Sequence, residues 1–176
     1  MGLTDLYIQK CNEVSDIYRH LPKLRELSAD SDHVTEMGVR GGVSTIALLM
    51  GNPKKLVSYD INPAPQFLFD LQHDTEFQFH QQNVLEIEIE PTDFLFIDTL
   101  HNYNQISKEL KYHGSKVRKW IAFHDTHLFR YNGESYDGKE EKGIYPAIEE
   151  FLQQYPEWKI EYETDENNGL TVIKKR

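Results

Sequence analysis

EMGVRGGVS, residues Glu36 to Ser44, decides how this chain is read. Three glycines, Gly38, Gly41 and Gly42, fall between a short strand candidate, VTEM, and an apolar run, STIALLM, with helical spacing. Glycine accepts positive φ and lets backbone approach a ligand closely, so the turn either cradles a small molecule or is simply tight. The elements on either side decide between these readings.

Downstream, the helix STIALLM closes on Gly51, Asn52 and Pro53, and KLVSYD follows as a strand ending in Asp60. That is a βαβ unit. PQFLFDLQ then predicts a short helix, FQFHQQ an alternating strand, DFLFID a strand buried on both faces, YNQISKELKYH an amphipathic helix and WIAFHD a further buried strand. After the helix YPAIEEFLQQY come EWKIEYE and LTVIKK, joined across TDENNG, where Asn168-Gly169 signals a hairpin. Strands alternating with helices imply an α/β sandwich around a largely parallel sheet, finished by an antiparallel hairpin.

Upstream, Leu6, Ile8, Val14, Ile17, Tyr18, Leu21, Leu24 and Leu27 form a broken helical stripe interrupted near Pro22, so residues 1–30 are expected to be one or two helices. Residues 126–143, THLFRYNGESYDGKEEKG, have no period and many turn formers, and predict a long loop after the fifth strand. With 176 residues, 1–176 is expected to be a single domain.

Composition narrows the class. A formal net charge of −10 argues against a nucleic-acid partner, and no apolar run reaches membrane-spanning length. Cys11 is the sole cysteine, which excludes an internal disulfide or a Cys-based metal cluster. The N-terminal residues lack the pattern of a secretory signal, so a cytoplasmic location is expected. The N-terminal helices offer a surface for a homodimer.

In open α/β sheets ligands bind beyond the carboxyl ends of the strands. Those ends here carry Glu36, Asp60, Asn83, Asp98, and His124 with Asp125. Asp60 lies about twenty residues past the glycines, where a carboxylate accepts both hydroxyls of a ribose; its alternative is a turn-starting aspartate. The spacing E-x-G-x-x-x-G, from Glu36, Gly38 and Gly42, departs from the dinucleotide fingerprint, and an acid before the first glycine suits a ligand carrying positive charge. S-adenosylmethionine fits better than NAD. No G-x-S-x-G elbow and no P-loop are present, so Ser44, Thr45 and Ser58 do not suggest a hydrolase.

VTEMGVRGGVSTIALL, VSYD, DFLFIDTLHNYNQISKELK, WIAFHDTH, GIYPAIEEFL and NNGLTVIKK, in that order, resemble the class I S-adenosylmethionine-dependent methyltransferases. More narrowly, they resemble the small O-methyltransferase-like group that includes the cephalosporin hydroxylase-like and macrocin O-methyltransferase-like proteins. The resemblance covers about Val34 to Lys175. It implies a Rossmann-like three-layer α/β/α sandwich with seven strands in the order 3-2-1-4-5-7-6, strand 7 antiparallel. It also implies S-adenosylmethionine as cofactor and a small-molecule acceptor. On that resemblance the loop Gly38 to Gly42, with Arg40 and Ser44, passes under the methionine part, Glu36 orients its ammonium, Asp60 binds the ribose, Asn83 reads the adenine, and Asp98 lies near the sulfonium or a metal. Arg40 replaces the usual middle glycine, and Asn83 the usual acid.

Methyl transfer to a hydroxyl needs in-line approach and removal of the hydroxyl proton, by a base or by a metal that lowers its pKa. His101, three residues past Asp98, is the leading base candidate, with Asp98 and His124 beside it; its alternative is an ordinary loop hydrogen bond. Asp98 and Asp125 end neighbouring strands and can share a divalent ion such as Mg²⁺ or Ca²⁺, whereas His124 as a third ligand favours a transition metal. His127 belongs to the same stretch. Tyr103, Trp120 and Phe129 are expected to pack. The expected activity is O-methylation of a small-molecule or sugar hydroxyl; the alternative is a domain of this fold that binds the cofactor without turnover.

Overall fold

The computed structural model describes residues 2–135 and 138–176; Tyr136 and Asp137, inside the loop expected at 126–143, lie outside the described residues. Its strands are β1 (His33–Met37), β2 (Lys55–Asp60), β3 (Glu76–Gln81), β4 (Thr92–Ile97), β5 (Val117–His124), β6 (Trp158–Thr164) and β7 (Leu170–Lys175). They form one sheet in the order β3-β2-β1-β4-β5-β7-β6. The first five strands run parallel and β7 is antiparallel to both neighbours. This is the Rossmann-like order expected. The chain runs outward through β2 and β3, then returns to place β4 on the other side of β1, so the order reverses between β1 and β4.

Period-two alternation sends successive strand residues to opposite faces, and two cores result. Val34, Leu56, Phe94, Phe96, Ala122 and Val172 pack with Leu21, Leu24 and Ile46 on one face; Met37, Val57, Leu95, Ile97, Ile121, Phe123 and Ile173 pack with Ile106, Leu110 and Ile148 on the other. The first face is covered by helices α1 (Leu3–Asn12), α2 (Leu21–Ala29) and α3 (Val43–Met50), and the second by α5 (Tyr103–His113) and α6 (Tyr145–Gln154). Continuing the alternation, Glu36, Ser58 and Asp98 fall on the α3 face, where polar residues replace apolar ones close to the carboxyl ends.

Local details depart from the expected elements for physical reasons. Pro22 does not interrupt a helix; it stands in the first turn of α2, where its missing N–H costs nothing. The real break is residues 13–17, between α1 and a short 3₁₀ turn at Tyr18–His20. PQFLFDLQ contributes one turn, α4 (Phe67–Asp70), because its apolar residues split between core and surface: Leu68 is buried and Phe69 half exposed. The β6–β7 connection takes residues 165–169, as expected, with Asn167, Asn168 and Gly169 all at positive φ. Among the described residues no helix is long and apolar enough to cross a membrane.

Candidate active site

The glycine turn is built around two carboxylates. Glu36 is fully buried in β1, and its oxygens accept hydrogen bonds from Ser44 Oγ at 2.6 Å, Thr45 Oγ1 at 2.8 Å and Ser58 Oγ at 2.6 Å. Burial raises its pKa to about 7 against the pull of these donors. The carboxyl group of Glu36, expected to orient an ammonium, bonds here to hydroxyls of α3 and β2. Ser44, expected at the cofactor, likewise turns its hydroxyl inward, although it lines the cavity described below.

Asp60 Oδ2 accepts from the backbone N–H groups of Val39 at 2.8 Å and Arg40 at 2.9 Å, and Oδ1 accepts from Asn62 N at 2.8 Å. Partial burial opposes its charge, yet these N–H donors hold the carboxyl below its usual range. Asp60 thus clamps the turn on which Arg40 sits. Gly38, at φ +91°, has a reason of its own: a Cβ there would collide with the carbonyl oxygen of Asp98. The turn is tight because β1 and β4 leave it no room.

Beside the turn lies a cavity of about 250 Å³ lined by Val39, Arg40, Ser44 and Asp98 on the sheet side. Its other wall is Ser15, Asp16 and Ile17, from the break between α1 and α2. This strap is pinned at both ends of its width: Arg40 Nη1 meets Asp16 Oδ2 at 2.7 Å, and Asn167 Nδ2 donates to the Ser15 carbonyl at 3.0 Å. Arg40 adopts φ +48°, a left-handed conformation that a large side chain rarely takes.

At the ends of β4 and β5, Asp98, His101, His124 and Asp125 converge, with one ligand atom from each lying within 4.8 Å of the others. His101 Nε2 is 3.2 Å from Asp98 Oδ1 and 3.0 Å from Asp125 Oδ2; His124 Nδ1 is 3.2 Å from Asp98 Oδ1 and 3.3 Å from Asp125 Oδ1. The outer nitrogens are occupied. His101 Nδ1 is 3.0 Å from Glu134 Oε2, and His124 Nε2 is 3.2 Å from the Asp16 carbonyl. An N–H on each outer nitrogen donates to these fixed acceptors, which leaves the inner nitrogens as lone pairs directed at the carboxylates once the rings are neutral. Phe129 stacks on His101 with ring centroids 5.0 Å apart and planes 9° apart.

Without a cation the cluster holds protons instead. Burial opposes charge on His124, but the Asp98 hydrogen bond and the charges of Asp98, Asp125 and Asp16 outweigh it and raise the pKa to about 9. His101 is raised in the same way, against burial, by Asp98, Asp125 and Glu134. Burial works against the Asp98 charge too, yet its two histidine partners hold it far below the usual carboxylate range. Asp125 moves up because burial outweighs the histidines. Its Oδ1 is buried without a hydrogen bond, and its backbone sits at φ +58°. Such a conformation costs about 1 kcal/mol or more and persists where its surroundings demand it.

Two carboxylates and two imidazoles with outer-shell acceptors are a donor set fitted to a divalent transition metal. The expected ligands Asp98, His124 and Asp125 come together, and His101 joins them. As a free base His101 is poorly placed, since its inner nitrogen faces two carboxylates and its outer one a third. Asn83 does not turn toward the cavity: its carbonyl, expected to read adenine, caps the turn at Val84–Glu86 by accepting from Leu85 N. His127 is exposed and outside the cluster. Tyr103 donates to Glu150 and Trp120 to Asp30, so both serve packing.

Three contributors escape a sequence reading. Glu134 comes from the loop without a period, and Asp16 from within the stretch expected to be helical, and nothing in either neighbourhood marks them. Glu109, in α5, is buried with its pKa raised to about 7 by burial, and accepts from Thr99 Oγ1 and Gln105 Nε2, bracing the loop that carries His101. Its place on the buried side of an amphipathic helix was the readable signal.

No protein-family model and no curated protein matches this sequence. Solved structures do match: cofactor-bound Rv0187 from MTB aligns with a TM-score of 0.70 at 18% identity, covering 99% of this chain and 89% of its own. An O-methyltransferase from Bacillus cereus in complex with SAH aligns at 0.66 and 16%, covering 99% and 90%. This chain has the methyltransferase fold. A 1,6-didemethyltoxoflavin-N1-methyltransferase from Burkholderia thailandensis, with 1,6-didemethyltoxoflavin and S-adenosylhomocysteine bound, shares the methyltransferase fold at 0.59 and 13%, covering 91% and 81%. That protein's acceptor atom is a nitrogen, so the methyltransferase fold alone leaves the acceptor open.

Proposed function

We propose that the chain is an S-adenosylmethionine-dependent methyltransferase that uses a divalent transition metal to methylate a hydroxyl of a small molecule. The observation that carries this reading is Asp98, which lines the cavity beside the glycine turn and also belongs to the Asp98–His101–His124–Asp125 cluster. Cofactor and cation would therefore abut across one carboxylate. S-adenosylmethionine supplies an electrophilic methyl group, and a metal ion at the cluster supplies acidity to an oxygen bound there.

The chain's own residues set the stage. Asp60 and Glu36 fix the turn, one through backbone N–H groups and the other through α3. His101 and His124 would hold the cation as neutral imidazoles, so neither would be free as a general base, and the acidified hydroxyl would release its proton to solvent. Orientation comes from the rigid strand ends, which favour in-line approach. Acid groups around the cluster favour a neutral or cationic acceptor over a polyanion.

Isothermal titration with S-adenosylhomocysteine and with Mn²⁺ tests the two halves separately. Binding of both is expected, and Asp98→Asn should weaken Mn²⁺ by about 100-fold or more. Absence of heat with S-adenosylhomocysteine at high micromolar concentration would overturn the methyltransferase reading. Mn²⁺ binding unchanged in Asp98→Asn would overturn the metal site.

A further inference from the structure

Glu36 is sealed under α3, which raises the question of what meets the amino-acid end of the cofactor. Across the cavity mouth stand an arginine and an aspartate already paired, Arg40 from the glycine turn and Asp16 from the strap, 2.7 Å apart. Nearby, Ser15 Oγ is buried without a partner and lines the same cavity. We propose that Arg40 and Asp16 are the recognition pair for the zwitterionic end of the cofactor, the guanidinium taking its carboxylate and the Asp16 carboxylate its ammonium. This assignment rests on the methyltransferase reading; it gives Arg40, inside the glycine turn, a specific partner group and extends the site to Asp16 in the strap, outside the glycine pattern.

Four observations support it. The cavity is below the roughly 300–1,000 Å³ of a site that encloses a whole drug-sized ligand, so it suits one end of a larger molecule. An amino-acid terminus carries one positive and one negative charge a few bonds apart, and the pair presents the opposite charges at the same mouth. The unliganded arrangement satisfies both groups with each other, and Ser15 Oγ remains as an unused polar group for the incoming terminus. Finally, Arg40 sits in a left-handed turn conformation that its own side chain does not favour, where Asp60 grips its N–H at 2.9 Å. From that turn the side chain lines the cavity and reaches Asp16 of the strap.

The pair is exposed on the arginine side, with 86% of that side chain accessible, so substitutions there leave the core intact. The test compares binding of S-adenosylhomocysteine with that of 5′-methylthioadenosine, which keeps the nucleoside and lacks the amino-acid end. Arg40→Ala and Asp16→Ala should each weaken S-adenosylhomocysteine by about 10-fold or more and leave 5′-methylthioadenosine unchanged. The reversed double variant, Asp16→Arg with Arg40→Asp, keeps an ion pair and accepts the turn geometry, since aspartate tolerates positive φ. It should stay weak for S-adenosylhomocysteine. Full recovery in that double variant would make the pair a structural latch and overturn the proposal. Equal weakening of both nucleosides by the single variants would do the same. If the unmodified protein binds neither nucleoside, the methyltransferase reading itself falls; if it binds both and the variants show no selective loss, only this assignment falls.

Discussion

The two sides of the β1–β4 crevice handle acid groups in opposite ways. On the β1–β2 side, Glu36 accepts from three hydroxyls and Asp60 from three backbone N–H groups, so each carboxylate helps hold the turn. On the β4–β5 side, two aspartates and two histidines are pressed together, one carboxylate oxygen lacks a hydrogen bond and one aspartate takes a left-handed backbone. A buried acid whose oxygens are all satisfied builds the fold. The cluster has the donor set that the proposed cation would use.

The sharpest way to break this contrast is Glu36→Ala. It strands three hydroxyl donors and should cost about 3 kcal/mol of stability in urea unfolding, while Mn²⁺ affinity stays within about twofold. A loss of metal binding without a loss of stability would show that Glu36 belongs with the other side.

Next in size is the pH dependence of the metal-free protein. His124 is charged in the fold up to about pH 9 and titrates near 6.5 when unfolded, so its contribution is fully present below about 6.5 and is lost as pH rises through about 9. His101 shifts in the same direction. Stability of EDTA-treated protein should fall by about 3 kcal/mol across that window. Saturating Mn²⁺, which competes with those protons, should flatten the slope. A rise in metal-free stability over the same range would contradict the cluster's proton-holding role.

The smallest of the three is Glu134→Gln. Its carboxylate holds the outer nitrogen of His101, and losing that charge should weaken Mn²⁺ by about 10-fold with little change in thermal midpoint. Equal destabilisation of the fold and no change in metal affinity would assign Glu134 to loop packing alone.

Much of the fold was legible because it rests on patterns that repeat. Alternating strands, the amphipathic run of α5 and the closing hairpin all announce themselves over many residues. The strand order itself came through the resemblance. The candidate site was legible in half: Asp98, His124 and Asp125 stand at strand ends, where position alone places them together. What each acid does was not legible, because it depends on partners brought in by the fold. Glu36 and Asp98 look alike in sequence, yet one meets Ser44, Thr45 and Ser58 and the other His101 and His124. Asp16 sits where an expected helix breaks and Glu134 in an aperiodic loop, and in both only three-dimensional structure assigns a neighbour.

The strap has a consequence in time as well as in space. Its anchor at Ser15 is Asn167, 152 positions later, and Arg19 likewise leans on Glu166 and Asn167. A chain being synthesised from its amino end has its glycine turn and both acid clusters long before it has residue 167. Until the final hairpin arrives, the cavity lacks the anchor for its roof, and closing contacts so distant in sequence is a slow step. A nucleoside bound in that cavity would therefore report that the β6–β7 hairpin has formed and seated against the strap.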